Sequence, residues 1–166
     1  MHVAITIFTI IASLRWAEWK KWRDYHASML FISAGGLLYE YIVKDHSLWK
    51  FHPDLLYGKE MTVIVYALIT MPISILLFLS HFPERWAARG MYILLWSGIY
   101  ISVEWVLLKL DKISYDYGWT LWYSFLFDMV MFPVIALHHF RPLPSYILSL
   151  LIIIFLIVYF KIPFKF

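Results

Sequence analysis

The sequence predicts an all-α fold, a polytopic integral membrane bundle of six transmembrane helices in one domain that covers residues 1–166. Composition is the first reason. Of the residues 63% are hydrophobic and only 15% are charged, whereas about half of a soluble domain is apolar. The second reason is that the apolar residues form runs bounded by charges, prolines and aromatic rings, which is typical of helices that cross a bilayer. The lipid bilayer is therefore the first partner that we expect.

The first helix is predicted over residues 3–19. Its apolar core from Val3 to Leu14 covers only about 18 Å at 1.5 Å per residue, less than the roughly 30 Å hydrocarbon layer, so Trp16 and Trp19 would extend it as interfacial anchors. If this helix lies in the interface instead, five helices span. No basic residue precedes its core and no small-residue cleavage site follows, so we expect a retained helix and not a signal peptide.

The other five helices are predicted at 27–43, 61–80, 90–108, 119–137 and 144–160. If all six span, lysine and arginine are divided equally between the two ends of the bundle. One end carries Arg15, Lys20, Lys21, Arg23, Arg85, Arg89 and Arg141, and the other carries Lys44, Lys50, Lys59, Lys109, Lys112, Lys161 and Lys165. Because early positive charge often determines topology, the cluster after the first helix is predicted to be cytoplasmic, with both chain termini outside.

An internal repeat relates the second and third helices to the fourth and fifth. Each half contains a serine, a glutamate seven positions later, a glycine, and a proline that follows the glycine by fourteen or fifteen positions. These residues are Ser33, Glu40, Gly58 and Pro72 in the first half and Ser97, Glu104, Gly118 and Pro133 in the second. We interpret the pattern as two helical hairpins in parallel orientation, related by a pseudo-twofold axis along the membrane normal.

Three segments of the chain carry a resemblance to a known family. An acidic residue ends a helix in "LLYEYIVKD", the motif "HSLW" follows it, "GW" opens a later helix, and "FP" lies in the middle of that helix. Through these motifs the chain resembles, over nearly its whole length, a family of small, uncharacterised polytopic membrane proteins from spore-forming Gram-positive bacteria. The resemblance implies a multi-pass protein of the bacterial plasma membrane with about five or six helices. It implies no catalytic residues, because the family has no established activity.

Asp128 interrupts the apolar run "WYSFLFDMVMFPVI". It is predicted about 15 Å inside the bilayer, where a charged side chain costs at least about 2.5 to 3.5 kcal/mol. Ser124 and Thr120 precede it on the same helical face, which makes a polar stripe that leads to the acid. Two interpretations stay open. Asp128 is a titratable transport site, or it is a neutral acid that only hydrogen-bonds a neighbouring helix.

Glu40 and Glu104 are predicted near the interface, at equivalent positions of the repeat. Each precedes a lysine, Lys44 or Lys109, and an interfacial ion pair would explain both without any function. Alternatively the two glutamates face each other across the pseudo-axis and form a proton or cation site at the mouth of the stripe that leads to Asp128.

His138 and His139 lie next to Arg141 at the other end of the fifth predicted helix. Together these residues could shuttle protons or hold the phosphate of a lipid headgroup, and otherwise they form an ordinary helix C-terminus at the interface.

The loop "KDHSLWKFHPDLLYGKE" contains four oxygen or imidazole donors, which are Asp45, His46, His52 and Asp54. Their spacing matches no standard metal motif. We therefore predict no metal site and expect a solvated loop with a re-entrant "LWKF" segment.

Several function classes are excluded by the sequence. The chain has no cysteine, so it contains no disulfide, thiolate ligand or thiol nucleophile. It also has no phosphate-binding loop, nucleophile elbow or dinucleotide fingerprint. The seven histidines lie near predicted helix ends or in loops, which argues against bis-histidine haem. No cofactor is predicted, and because the net charge of +3 comes from loop residues, no nucleic-acid partner is predicted either.

Three hypotheses for function remain. The first is a small transporter or channel for a proton, a cation or a small polar solute, with Asp128 at the midplane and Glu40 and Glu104 at the mouth. The second is a non-catalytic membrane subunit or regulator of a larger complex or envelope process. The third, and least favoured, is an enzyme that acts on lipid headgroups with His139 and Arg141. A homo-oligomer or a membrane protein partner fits the first two.

Overall fold

The computed structural model describes residues 1–53 and 58–163. Within these residues the chain forms six helices and one two-stranded sheet. The helices are α1 (His2–Trp16), α2 (Trp22–Ile42), α3 (Lys59–Ser80), α4 (Trp86–Lys109), α5 (Leu121–Phe140) and α6 (Pro142–Tyr159), and the strands are β1 (Trp49–Phe51) and β2 (Ile113–Tyr115). A single 3₁₀ turn, Trp19–Lys21, joins α1 to α2.

Four of these helices, α3 to α6, are long and apolar enough to cross a membrane. The mostly helical fold is therefore confirmed, with four helices that have the length and composition to span a membrane. Helix α1 is apolar but has only 15 residues, a length of about 22 Å. In α3, 56% of the most apolar segment is buried in the bundle, whereas in α6 only 6% of that segment is buried, as expected for a helix that faces lipid chains.

The helix ends differ from the predicted ones in a systematic way. Helices α2 and α4 begin at Trp22 and Trp86, four or five residues before the predicted starts, because backbone hydrogen bonds continue through a polar first turn that hydropathy does not count. Helix α5 begins two residues later than predicted. Thr120 has an extended backbone there, and its hydroxyl accepts a hydrogen bond from the Tyr123 amide at 3.4 Å, which makes it the N-cap of the helix.

The helices are arranged around α2 and α5. Helix α2 packs against α3 and α5, while α4 and α6 both pack against α5. One small residue of α2 allows a close approach to α3: a Cβ on Gly36 would lie 3.6 Å from the Cβ of Ala67. Ala34 and Gly35 are instead exposed, so they do not contribute to this contact.

Helix α1 runs parallel to α3 along the edge of the bundle. The hydroxyls of Thr6 and Thr70 are 2.8 Å apart, and the Glu18 amide donates to the Ser80 hydroxyl at 3.0 Å further along. Thr70 ends a π-helical turn, Tyr66–Thr70, within α3. Pro72 lies two residues after Thr70. Because proline lacks an amide hydrogen and displaces a preceding carbonyl, a local change of helical hydrogen bonding is expected at this point.

Aromatic rings fill the interior between α3, α4 and α5. Phe78 and Phe132 are fully buried, with ring centroids 4.9 Å apart. Trp96 and Tyr100 of α4 pack around Phe132, at centroid distances of 6.0 and 5.1 Å. This half of the bundle is therefore closed by close-packed aromatic side chains.

The sheet lies at the end of the bundle that also carries the N-terminus, which we call the ladder end. Strands β1 and β2 are antiparallel, with Trp49 opposite Tyr115, Lys50 opposite Ser114 and Phe51 opposite Ile113. On either side of this register, the His52 amide donates to the Lys112 carbonyl and the Asp116 amide donates to the Leu48 carbonyl, both at 2.9 Å.

The ladder corrects the expectation of a solvated loop at this position. Phe51 and Ile113 are buried, so the segment packs by one face against the bundle. Two side-chain contacts add to the backbone pairing: Lys50 forms an ion pair with Asp116, and His52 Nε2 lies 2.8 Å from the Ser114 hydroxyl. Each strand has only three residues, which is too short for an alternating pattern to identify it in the sequence.

A pair of engineered cysteines tests this register. Because the natural chain has no cysteine, Lys50→Cys with Ser114→Cys is expected to form one intramolecular disulfide on oxidation, since facing residues in such a ladder have Cα atoms about 5.5 Å apart. Thiol titration and gel mobility with and without reductant measure it. The control pair, Lys50→Cys with Lys112→Cys, is displaced by two positions along the strand and should stay reduced. Equal cross-linking of both pairs would contradict the register.

Candidate ion-binding site within the helices

A carboxylate of α4 is the centre of a group of hydrogen bonds at the ladder end. Helices α4 and α5 are antiparallel neighbours and bring Glu104 next to Ser124, while β2 places Tyr115 on the other side of the same carboxylate. Glu104 Oε1 accepts hydrogen bonds from the Tyr115 and Ser124 hydroxyls, both at 2.6 Å. Two helices and a strand are thus joined through one oxygen atom.

The direction of these hydrogen bonds is fixed by an indole ring. Trp119 Nε1 lies 2.8 Å from the Ser124 hydroxyl, and an indole nitrogen can only donate. Ser124 therefore accepts from Trp119 and points its own hydrogen at Glu104. Burial and the hydrogen bond to Glu104 raise the pKa of Tyr115, so its phenol stays protonated and remains a donor at neutral pH.

Asp128 lies one helical turn deeper than Ser124 on α5. Its side chain is only 6% exposed, and among the described residues its Oδ2 atom has no hydrogen-bond partner. Because α5 begins at Leu121, Asp128 is about 10 Å from the start of the helix, shallower than the predicted 15 Å. An unpaired charge on a buried carboxylate costs several kcal/mol in apolar surroundings, so this oxygen is the least satisfied atom of the group.

Asp128 has charged and polar neighbours on α4. It is close enough to Glu104 for the two carboxylates to repel each other when both are charged, and close enough to Tyr100 to interact with its phenol. The Tyr100 hydroxyl in turn lies 2.5 Å from the Ser74 hydroxyl of α3. Polar groups therefore extend from β2 through α4 and α5 to α3, and the aromatic interior begins directly beyond them.

Two other residues of the predicted stripe and mouth lie outside this group. Thr120 is exposed and caps α5. Glu40 is half-buried, and the charge that acts on it is that of Lys59 in α3, with no sign of the predicted contact with Glu104. Sequence reasoning missed Tyr115 and Trp119 as parts of the site.

The ion pairs that would have explained the two glutamates are not among those of the described residues. Glu104 is hydrogen-bonded to hydroxyls, and the Lys109 ammonium instead lies 5.9 Å from the centre of the Trp105 ring. Lys44 of the other predicted pair is exposed.

The two histidines at the opposite end of α5 differ in their surroundings. His138 is 3% exposed. Its Nδ1 lies 2.9 Å from the Ser28 hydroxyl of α2 and its Nε2 lies 3.1 Å from the Tyr146 hydroxyl of α6, while its ring stacks on Phe31 at a centroid distance of 4.2 Å. His138 therefore joins three helices.

His139 and Arg141 do not share that position. His139 is half-buried beside Tyr25, with ring centroids 5.3 Å apart, and Arg141 is exposed at the junction of α5 and α6. The three residues therefore do not converge on one point, as a single headgroup site would require.

The donors of the loop between α2 and α3 are dispersed. Asp45 is exposed, His46 stacks on Tyr117, and His52 contacts Ser114. Asp54 lies outside the described residues. Within residues 1–53 and 58–163, no group of three or more histidine or acidic side chains is close enough to hold a metal ion.

Comparisons with known proteins found no matching family model, no similar curated protein and no similar solved structure. The function is therefore argued from the residues of this chain, and the family resemblance of its motifs stays a prediction.

Removal of the Tyr115 hydroxyl tests the contribution of the Glu104 group to stability. Tyr115→Phe keeps the ring but removes one of two donors to a half-buried carboxylate, which should lower the free energy of unfolding by about 1 to 3 kcal/mol. Unfolding in detergent micelles measures this change. Tyr41→Phe is the matched control, because Tyr41 is 79% exposed and its loss should change stability by less than about 0.5 kcal/mol. Equal effects of both variants would refute the role of the hydrogen bond.

A second prediction compares the two adjacent histidines. His138→Ala leaves the buried Ser28 hydroxyl without its partner and opens a cavity between α2, α5 and α6, whereas His139→Ala removes a half-buried ring. The free energy of unfolding should therefore fall by about 2 kcal/mol or more for His138→Ala and by clearly less for His139→Ala. Loss of the same size in both would show that His138 does not join the three helices.

Proposed function

We propose that this chain is a small multi-pass membrane protein that binds and moves a proton or a small cation, with Asp128 as its binding residue. The observation that carries the proposal is the buried Oδ2 atom of Asp128, which lacks a hydrogen-bond partner among the described residues although its helix is apolar enough to span a bilayer. An acid that only held helices together would use this oxygen in a hydrogen bond. Intramembrane ionisable residues typically mark ion or proton pathways.

The hydrogen-bonded hydroxyls of Tyr115 and Ser124 around Glu104 support a pathway between the ladder end and Asp128. Tyr115 and Trp119 belong to the ladder end, where the chain leaves the helices, and Ser124 lies between them and the acid. A charge that approaches from that end meets oriented hydroxyls and a carboxylate before it reaches Asp128. Thr120, at the exposed start of α5, is at the entrance of this route and does not take part in the hydrogen bonds to Glu104.

The two-hairpin repeat is part of the proposal, and the ladder supports it. Glu40 and Glu104 are 64 positions apart, and the same shift maps β1 onto β2. Under this shift Lys50 corresponds to Ser114, which is also its partner in the ladder. The shift of 64 positions also converts the flanking hydrogen bond from His52 to Lys112 into the one from Asp116 to Leu48. A ladder that maps onto itself in this way is expected where a pseudo-twofold axis passes through its centre.

The two halves have diverged in the residues that surround the glutamates. In the ladder, Phe51 corresponds to Tyr115. When the third and fifth predicted helices are aligned on Pro72 and Pro133, Val63 corresponds to Ser124 and Ala67 to Asp128. Glu40 therefore lacks the hydroxyl donors that Glu104 has. We infer that only the second half retained an ion site, and that Glu40 serves as an internal control for Glu104.

For the membrane topology we propose six crossings in the bacterial plasma membrane, with α1 and α2 included. Consecutive helices alternate in direction, so the ladder and both chain termini would share one side. The basic residues Arg15, Lys20, Lys21 and Arg23 would then be cytoplasmic, in agreement with the positive-inside tendency. The family resemblance of the motifs supports the same location.

A second candidate function is that of a non-catalytic subunit or regulator in a larger membrane complex. The closed aromatic interior favours it, because the buried rings of Phe78 and Phe132 fill the space beyond Asp128. In that case the exposed apolar surface of α6 would meet a second copy or another membrane protein.

Ion flux in proteoliposomes tests the first candidate against the second. Asp128→Asn keeps the shape of the side chain but removes its ionisable group, and it should reduce proton or monovalent-cation flux by about tenfold or more while the helical content is kept. Glu40→Gln should leave flux unchanged.

The measurement uses a pH-sensitive dye inside the vesicles and thermal unfolding of each variant in parallel. Absence of flux in the natural protein would reject transport in favour of the subunit, and copurification of one abundant membrane protein would then support that alternative.

A further inference from the structure

We propose that the ion bound at this site is a proton, taken up by Asp128 beside Glu104, and not a metal cation. This inference rests on the proposed function and names its substrate. Three observations carry it: the direction of the hydrogen bonds, the burial of Asp128 with one oxygen that has no partner among the described residues, and the small set of oxygen atoms left for a ligand.

Existing hydrogen bonds already occupy some of the oxygen atoms that could coordinate a metal ion. Glu104 Oε1 already accepts two hydrogen bonds, and the Ser124 oxygen accepts one from Trp119. The Tyr115 and Ser124 hydrogens both point at the carboxylate and would have to turn away before a cation could approach that oxygen. The atoms left for a cation are the two oxygens of Asp128, Glu104 Oε2 and one lone pair of Ser124.

This set is too small to surround a divalent cation that has lost its water. Ca²⁺ takes about six to eight oxygen ligands and Mg²⁺ about six, at near-ideal geometry. Backbone carbonyls would have to supply the rest, but in this part of α5 they are occupied in the helix, apart from the one released by Pro133. A proton needs only one of the free oxygens.

Repulsion between the two negative carboxylates also favours the binding of a proton. Asp128 and Glu104 are neighbours that repel each other when both are ionised, and Asp128 is almost completely buried. The ion pairs of Lys21 with Glu18 and of Lys50 with Asp116 involve neither carboxylate, and within the described residues no basic side chain acts on either acid. Binding of one proton by such a pair removes the repulsion between two negative charges.

The step itself is a proton transfer with no other bond change. A proton from water at the ladder end binds to a free carboxylate oxygen of Glu104 or Asp128, an O–H bond forms, and the same bond breaks when the proton leaves. The other titratable groups that face the pair are the phenols of Tyr100 on α4 and Tyr115 on β2. Tyr39 of α2 lies close enough to Glu104 to interact with it.

Infrared spectroscopy of the full chain in lipid bilayers tests the proposal. The C=O stretch of a protonated carboxylic acid is recorded as the pH is raised, first with choline chloride and then with sodium or lithium chloride at the same ionic strength. We expect a band that titrates at the same pH in all three salts, is absent in Asp128→Asn, and is altered in Glu104→Gln. Glu40→Gln should leave it unchanged.

Competition by a cation would overturn the proposal. If sodium or lithium moves the titration to lower pH, the site binds that ion in place of the proton. If no protonated carboxyl band depends on Asp128, the acids do not hold a proton at all. Asp128→Glu, which keeps the acid, guards against variants that only unfold and should restore a titrating band.

The infrared result is independent of transport. If the natural protein shows no flux but its carboxyl band titrates as expected, the proposed transport function fails and the proton site stands. If flux is present but sodium shifts the band, the reverse holds. The two inferences can therefore fail separately.

Discussion

Polar groups in a membrane protein must find their partners inside the protein, because hydrocarbon offers none, and this constraint converges on the carboxylate of Glu104. Its Oε1 atom accepts hydrogen bonds from a strand through Tyr115 and from α5 through Ser124, and Ser124 is itself held by Trp119. These contacts fix how α4 and α5 pack at the ladder end. They also leave Asp128 one turn deeper with an unsatisfied oxygen, since the nearest hydroxyls already donate to Glu104.

The ladder and the aromatic interior divide the bundle into two regions with different properties. At the ladder end, six residues of two loops pair as strands and close off the polar group, with an exposed ion pair between Lys50 and Asp116 at the rim. Beyond Asp128, the fully buried rings of Phe78 and Phe132 pack against each other. The hydrogen bonds around Glu104 thus lie on the ladder side of these rings.

The helices could be predicted because apolar runs of about twenty residues have few alternatives in a membrane. Asp128 was found in the same way, as one acid in such a run, and Ser124 followed from the spacing of four. Their partners could not be found. No pattern set Tyr115 and Trp119 apart from the other aromatic residues, and the position of Tyr115 depends on a pairing between loops 64 positions apart that three-residue strands do not reveal. The alternative in which Glu40 faces Glu104 is not seen among the described contacts, where Glu40 lies near Lys59 of α3 and Glu104 accepts hydrogen bonds from two hydroxyls.

The fixed orientation of the Trp119 indole limits the hydrogen-bonded routes by which a proton from water can reach Glu104 and Asp128. Since the indole nitrogen has no lone pair to offer, a hydrogen-bonded relay cannot start at Trp119, and that branch is a terminus. The phenol oxygen of Tyr115 can accept a hydrogen bond as well as donate one, so of the two rings only Tyr115 is able to continue such a relay. Tyr115 belongs to the ladder, and the pairing of two loops therefore positions a hydrogen-bond donor to a carboxylate of α4.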